Sequence, residues 1–192
     1  ILNGTEKQTV YFEDSGWSHF NDLELQNQNV EFASPVCGWT LQRDTVFGNG
    51  LPNGMCGTFD LNGKTLKING DLLQNAGEIN INTGTLEVTG DYRIQSIATD
   101  IEGETSYTGT DAYVTMQREA DKIKVGGSFY IQSTYGNGYN VFTAGTMEIG
   151  GDFYQLFGGT NNYDNFEASG THKVILNGTE KQTVYFEDSG WS

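Results

Sequence analysis

The chain has 192 residues, 26 of them glycine and only 2 proline, with 11 Phe, 10 Tyr and 3 Trp; 18% are charged and the formal charge is −15. An acid excess of this size argues against nucleic acid or an anionic membrane surface as partner, because both need Lys and Arg to displace counterions. No apolar run is long enough to insert in a membrane, and any secretion signal is expected to lie outside these residues.

Residues 1–18 (ILNGTEKQTVYFEDSGWS) return unchanged as residues 175–192. The chain therefore reads as one 174-residue repeat, residues 1–174, followed by the start of the next, which continues the same structure. The duplicated tail carries Glu180, Lys181, Glu187 and Asp188, so the repeat itself holds −13 of the total charge. Asn3-Gly4-Thr5, and its copy Asn177-Gly178-Thr179, match the glycosylation sequon, although Asn-Gly is equally a turn dipeptide.

Two cysteines come next, each followed by glycine and each just ahead of an apolar alternation: Cys37-Gly38 and Cys56-Gly57. If successive turns of chain lie in register, their Cα atoms stand about 4.8 Å apart, inside the roughly 4.4–6.8 Å range a disulfide needs. Such a staple implies an oxidising, extracellular setting. Two buried free thiols and a metal pair are the other readings, the last weakened because no histidine is close in sequence.

From Phe59 onward a short period governs the chain. Phe59, Leu61, Leu66, Ile68 and Leu72 are followed twenty residues later by Ile79, Ile81, Leu86, Val88 and Tyr92. The pairs 59/61, 66/68, 79/81 and 86/88 are period-2 strands, separated by corners such as Asn62-Gly63-Lys64 and Asn82-Thr83-Gly84. A Gly-Asp signature runs through the same region: Gly70-Asp71-Leu72, Gly90-Asp91-Tyr92, Gly127-Ser128-Phe129 and Gly151-Asp152-Phe153. Residues 97–121 interrupt it as an insertion without the strand pattern; part of it, residues 111–122, reads as a short helix or as an extra strand.

Short strands and corners recurring at this interval predict an all-β parallel β-solenoid, about eight coils of roughly 20–24 residues per repeat, advancing on the order of 40 Å. An antiparallel sandwich or jelly roll is the alternative, but it does not require five apolar positions to recur at a fixed interval. Stacking would line up Asp71, Asp91, Ser128 and Asp152 along one corner, and Leu72, Tyr92, Phe129 and Phe153 as a buried ladder. Tyr130 and Tyr154 would then face outward. With Tyr135, Tyr139, Phe157 and Tyr163 they would offer either a glycan or protein contact surface or plain stacking that stiffens the structure.

No catalytic constellation emerges. His19 and His172 are the only histidines, and GxSxG, HExxH and paired CxxC are absent. Residues 57–65 and 48–54 each miss a phosphate-loop or dinucleotide pattern by one residue. The evenness of the Asp row suits backbone capping at a corner better than general acid–base work. No cofactor is called for, though a row of carboxylates leaves room for Ca²⁺.

The pattern Gly-Thr-(Leu/Met)-Glu-(Val/Ile)-x-Gly-Asp, at residues 84–91 and 145–152, resembles bacterial cell-surface and secreted β-solenoid repeats. So does residues 172–178 running into Gln182-Thr183-Val184. The likeness is to the adhesin and filamentous-haemagglutinin-like class of surface fibres. It implies a right-handed parallel β-helix, a bacterial extracellular or cell-surface location, and a stalk or adhesive role without catalysis. The partner implied is the protein itself, head to tail along the fibre, with a glycan or cell-surface receptor as a further one.

Overall fold

The computed structural model describes residues 2–11, 30–32, 36–41, 44–47, 55–134, 141–159 and 165–187, with backbone alone for 30–32, 36–40, 46–47 and 55–56. Every regular element among them is a β-strand. Three parallel sheets carry the structure. Sheet I holds Val36–Thr40, Met55–Asp60, Glu78–Asn80 and Tyr113–Thr115. Sheet II holds Thr45–Phe47, Thr65–Ile68, Thr85–Val88, Lys122–Val125, Thr146–Ile149 and Lys173–Leu176. Sheet III holds Leu72–Gln74, Tyr92–Ile94, Phe129–Ile131, Phe153–Gln155 and Val184–Phe186.

The chain visits the sheets in rotation, and each strand pairs with its counterpart one passage later. We call one passage a layer. Phe59 pairs with Ile79 and Leu72 with Tyr92, the interval of twenty that the apolar pattern predicts. In sheet II the register runs Leu66↔Leu86↔Ile123↔Met147↔Val174. All strands pointing inward at these positions lose their side chains to the core: Leu66, Leu86, Ile123 and Met147 are fully buried. Each such side chain contributes about 2 kcal/mol of hydrophobic stabilisation. Strands of three or four residues would be unstable singly, but each is flanked by equivalents above and below.

The corner between sheets I and II reverses the chain tightly. Asn62 (φ 48°) and Gly63 (φ 72°) take left-handed conformations, as Asn82 (φ 42°) and Thr83 (φ 65°) do one layer on. Asn is among the side chains that tolerate this region, and here its amide is used: Asn82 Nδ2 donates to both carboxylate oxygens of Asp60, at 2.8 and 2.9 Å.

The insertion at residues 97–121 holds strands, and of the two readings of residues 111–122 the extra strand is the one observed. Ser96–Thr99 and Thr105–Thr108 form an antiparallel hairpin, and Tyr113–Thr115 rejoins sheet I against Glu78–Asn80. The hairpin escapes a search for buried alternation because nothing buries either of its faces; Ile97 is 52% exposed and Ile101, at its turn, fully so. Asp100 closes the turn by accepting the N–H groups of Glu102 and Glu104 on Oδ1, each at 2.9 Å.

Near the cysteines, Val36–Thr40 pairs with Met55–Asp60 so that the backbone of Cys37 lies opposite that of Cys56, with a register shift before Trp39. Their side chains, and with them the expected disulfide, lie outside the described residues.

Candidate functional site

Asp71, Asp91, Ser128 and Asp152 stand at the entry to the sheet III strands of four successive layers, and a single chain of hydrogen bonds links them. Oδ1 of Asp71 accepts the N–H of Asp91 at 2.8 Å, and Oδ1 of Asp91 accepts the N–H of Ser128 at 2.8 Å. Ser128 Oγ accepts the N–H of Asp152 at 2.9 Å, and Oδ1 of Asp152 accepts the N–H of Thr183 at 2.7 Å. Each side chain thus reaches one layer along the stack and caps the backbone at the corner of its successor. The glycine in front of each slot leaves the passage open. A methyl group on Gly151 would lie 2.6 Å from Ser128 Oγ, and one on Gly127 would strike Asp91 Oδ1. The Gly-Asp signature is therefore one device: the glycine admits the carboxylate that the previous layer sends through.

Like charges in such a row would repel, and the chain answers at three of its four positions. Asp91 is paired with Arg93 at 3.0 Å, Ser128 interrupts the series with a neutral group, and Asp152 Oδ2 accepts the hydroxyl of Tyr154 at 3.0 Å. That last bond raises the Tyr154 hydroxyl above the usual phenol range, its neighbouring carboxylate favouring the protonated form. Among the described residues no group of three or more His, Cys, Asp or Glu side chains is arranged to hold a metal ion.

The ladder beside it is buried throughout. Leu72, Tyr92, Phe129 and Phe153 pair in register and are 3% exposed or less. Tyr92 and Phe129 meet edge to face with centroids 5.4 Å apart, and Phe129 and Phe153 are tilted at 5.7 Å. The Tyr92 hydroxyl donates to Gln74 Oε1 at 2.5 Å, which satisfies its polar atom, and burial pushes its pKa far up.

On the outer face of the same sheet, Arg93, Tyr130, Tyr154 and Tyr185 occupy successive layers. The Arg93 guanidinium lies 3.5 Å from the centroid of Tyr130 and 4.5 Å from that of Tyr107, which reaches over from the hairpin. Tyr130 and Tyr154 stack at 4.8 Å with only 5° between planes, and Tyr185 continues the column at 6.2 Å. The ring faces a sugar would need are turned along the column toward each other. Tyr135, Tyr139 and Tyr163 lie outside the described residues. On sheet II, the outer row alternates Lys67, Glu87, Lys124 and Glu148, and Lys124 holds Glu87 at 2.8 Å, which raises the lysine pKa. Exposed pairs of this kind add little individually; their effect is to avoid like-charge contacts between layers.

Three residues of this arrangement carry no recognisable pattern in sequence. Arg93 and Tyr107 meet only because the hairpin folds back. Gln182 stands where earlier layers have the signature glycine, and its carboxamide does the corner's work: Nε2 donates to Ile149 O at 3.0 Å and to Gly151 O, while Oε1 accepts the Gly178 N–H at 2.9 Å.

His172 sits at the last described corner between sheets I and II. Its Nδ1 lies 2.9 Å from the Ala144 carbonyl, which makes Nδ1–H the donor, while Nε2 is buried without a partner near Phe142 and Phe166. Burial lowers its pKa and the Ala144 bond opposes this only in part. The folded state therefore prefers the neutral ring, and the unfolded chain binds more protons near its ordinary value of about 6.5. Stability from this group is complete above that value and is lost as pH falls through it. The expected result is that the stability advantage of the parent over His172→Gln shrinks between pH 8 and pH 5.5 in urea unfolding; an advantage constant with pH contradicts it.

Comparison with known protein families, curated proteins and solved structures finds no match.

Proposed function

We propose that the chain is a non-catalytic structural module of an extracellular fibre or cell-surface stalk, in which 174-residue repeats follow one another as a right-handed parallel β-solenoid. The observation that carries this reading is the pairing of the duplicated segment. Lys173–Leu176 lies in parallel register on Thr146–Ile149, and Val184–Phe186 on Phe153–Gln155, so the opening residues of a second repeat already form the next layer of the first. The ladders support a mechanical role, since the capping row, the buried aromatics and the outer stack all run along one axis and tie each layer to its neighbour.

A disulfide between Cys37 and Cys56 would suit an extracellular setting, and the in-register backbone at those positions is compatible with one. Glycan binding through the outer tyrosines is less favoured, because Tyr130 and Tyr154 spend their ring faces on each other and on Arg93.

The test is electron microscopy of chains containing two, three and four tandem repeats. Unbranched rods whose length grows by a constant increment per repeat are the expected result. Separate globules, or lengths that do not scale, overturn the reading.

A further inference from the structure

The segment that occurs twice is described in two different surroundings. In its first copy, Gln8–Val10 pairs in parallel with Val30–Phe32, which lies later in the chain. In its second, Val184–Phe186 pairs with Phe153–Gln155, which lies earlier. The local fold is the same in both. Gly4 N–H donates to Gln8 Oε1 at 2.9 Å, and Gly178 N–H to Gln182 Oε1 at 2.9 Å. Val10 and Val184 are then the same position seen from two sides, facing Phe153 in one copy and Phe32 in the other.

The hydrogen bonds leave room for both partners. Phe153 N–H donates to Thr183 O at 2.9 Å, and Glu187 N–H to Gln155 O at 3.0 Å. Residues 183 and 187 thus turn their backbone groups toward the preceding layer. Successive residues of a strand point their N–H and C=O groups to opposite edges, so Val184 and Phe186 present theirs to the other side.

Resting on the fibre reading above, we infer that this segment is a two-edged splice. Through one edge it pairs with Phe153–Gln155 of the preceding repeat, and through the other it receives Val30–Phe32 of its own, so that sheet III crosses the boundary unbroken. The backbone register of sheet III then continues from Phe153 through Val10 to Phe32.

The splice also sets the number of layers. Val30–Phe32 is separated by three residues from the sheet I strand Val36–Thr40, as Leu72–Gln74 is from Glu78–Asn80, so it is the sheet III strand of its layer. One strand from each layer of a repeat is then Gln8–Val10, Val30–Phe32, Thr45–Phe47, Thr65–Ile68, Thr85–Val88, Lys122–Val125 and Thr146–Ile149, after which Lys173–Leu176 opens the next repeat. These are seven layers, an advance of about 34 Å per repeat at the usual strand spacing, rather than the eight coils obtained by dividing the repeat length by a mean coil.

Fibre diffraction or helical reconstruction of a chain of four or more repeats tests this. The expected pattern places the strand-spacing reflection near 4.8 Å as the seventh order of an axial repeat near 34 Å. Rods in which that reflection is the eighth order, or in which layers are interrupted at each boundary, overturn the splice and leave the fibre reading standing. A chain that forms no rods overturns both.

Discussion

Phe129→Ala is expected to lower the stability of the chain by about 4 kcal/mol, within the range for removing a fully buried aromatic ring from a core. Phe129 has no solvent exposure and touches three rings, Tyr92 at 5.4 Å, Phe153 at 5.7 Å and Phe166 at 6.3 Å. A cavity in a globular core is partly filled by inward movement of its surroundings. Here the layers above and below are held apart at about 4.8 Å by backbone hydrogen bonds in sheets II and III and by the bridges at Phe142, so collapse along the axis is blocked. Sideways, Phe166 is already engaged with Phe142 at 4.5 Å and Phe153 at 4.9 Å and is not free to swing in. The outward neighbour Tyr130 provides the internal comparison, because Tyr130→Ala removes the same kind of ring from the outer stack without opening a cavity and should cost about 1 kcal/mol. The measurement is urea unfolding of both variants, with midpoints compared at an unchanged slope. Equal losses for the two would mean that the buried ladder is not what holds the layers together.

How far the sequence foretold these contacts depends on whether a position must repeat. In a stack of layers, a residue facing inward meets its own equivalent one layer on, so an apolar position has to stay apolar at a regular interval. That is why Phe59 and Ile79, Leu66 and Leu86, and Leu72 and Tyr92 can be paired from spacing alone, and all three pairs are in register. The Gly-Asp slot is legible for the same reason: the carboxylate and the glycine that admits it belong to adjacent layers, Asp71 with Gly90 and Asp91 with Gly127. The hairpin at Ser96–Thr99 and Thr105–Thr108 obeys no such rule, because both faces meet solvent and only Tyr107 is recruited, over Arg93. Gln182 is invisible for a different reason. It replaces the signature glycine and performs by side chain what the other layers do by backbone approach. The sheet II register shows the limit of a fixed period: its steps after Leu86 lengthen, to Ile123, Met147 and Val174, because the corners and the hairpin absorb residues that the strands do not need.

Asp121→Ala is the second large effect expected, a loss of about 3 kcal/mol, since hydrogen bonds to a charged acceptor contribute about 1.5–3 kcal/mol each and their orphaned donors cannot all reach water. Asp121 is only 1% exposed, yet it accepts three backbone N–H groups. Oδ2 takes those of Gln117 and Arg118 at 2.7 and 2.9 Å, and Oδ1 takes that of Thr83 at 2.6 Å. The first two close its own corner. The third reaches to the preceding layer, where Thr83 is held at φ 65°, a conformation unfavourable for a β-branched residue without such an anchor. Removing the carboxylate therefore loosens two corners at once, and the Thr83 backbone is free to relax out of the left-handed region. Asp121→Asn separates charge from shape: it keeps one acceptor oxygen but turns an NH₂ group toward a backbone donor, and should lose roughly half as much. Hydrogen exchange supplies the local readout, with the amides of Thr83, Gln117 and Arg118 losing protection in Asp121→Ala before the strands Thr85–Val88 and Lys122–Val125 do. Protection unchanged at Thr83 would mean that the two layers are tied at this corner by backbone pairing alone.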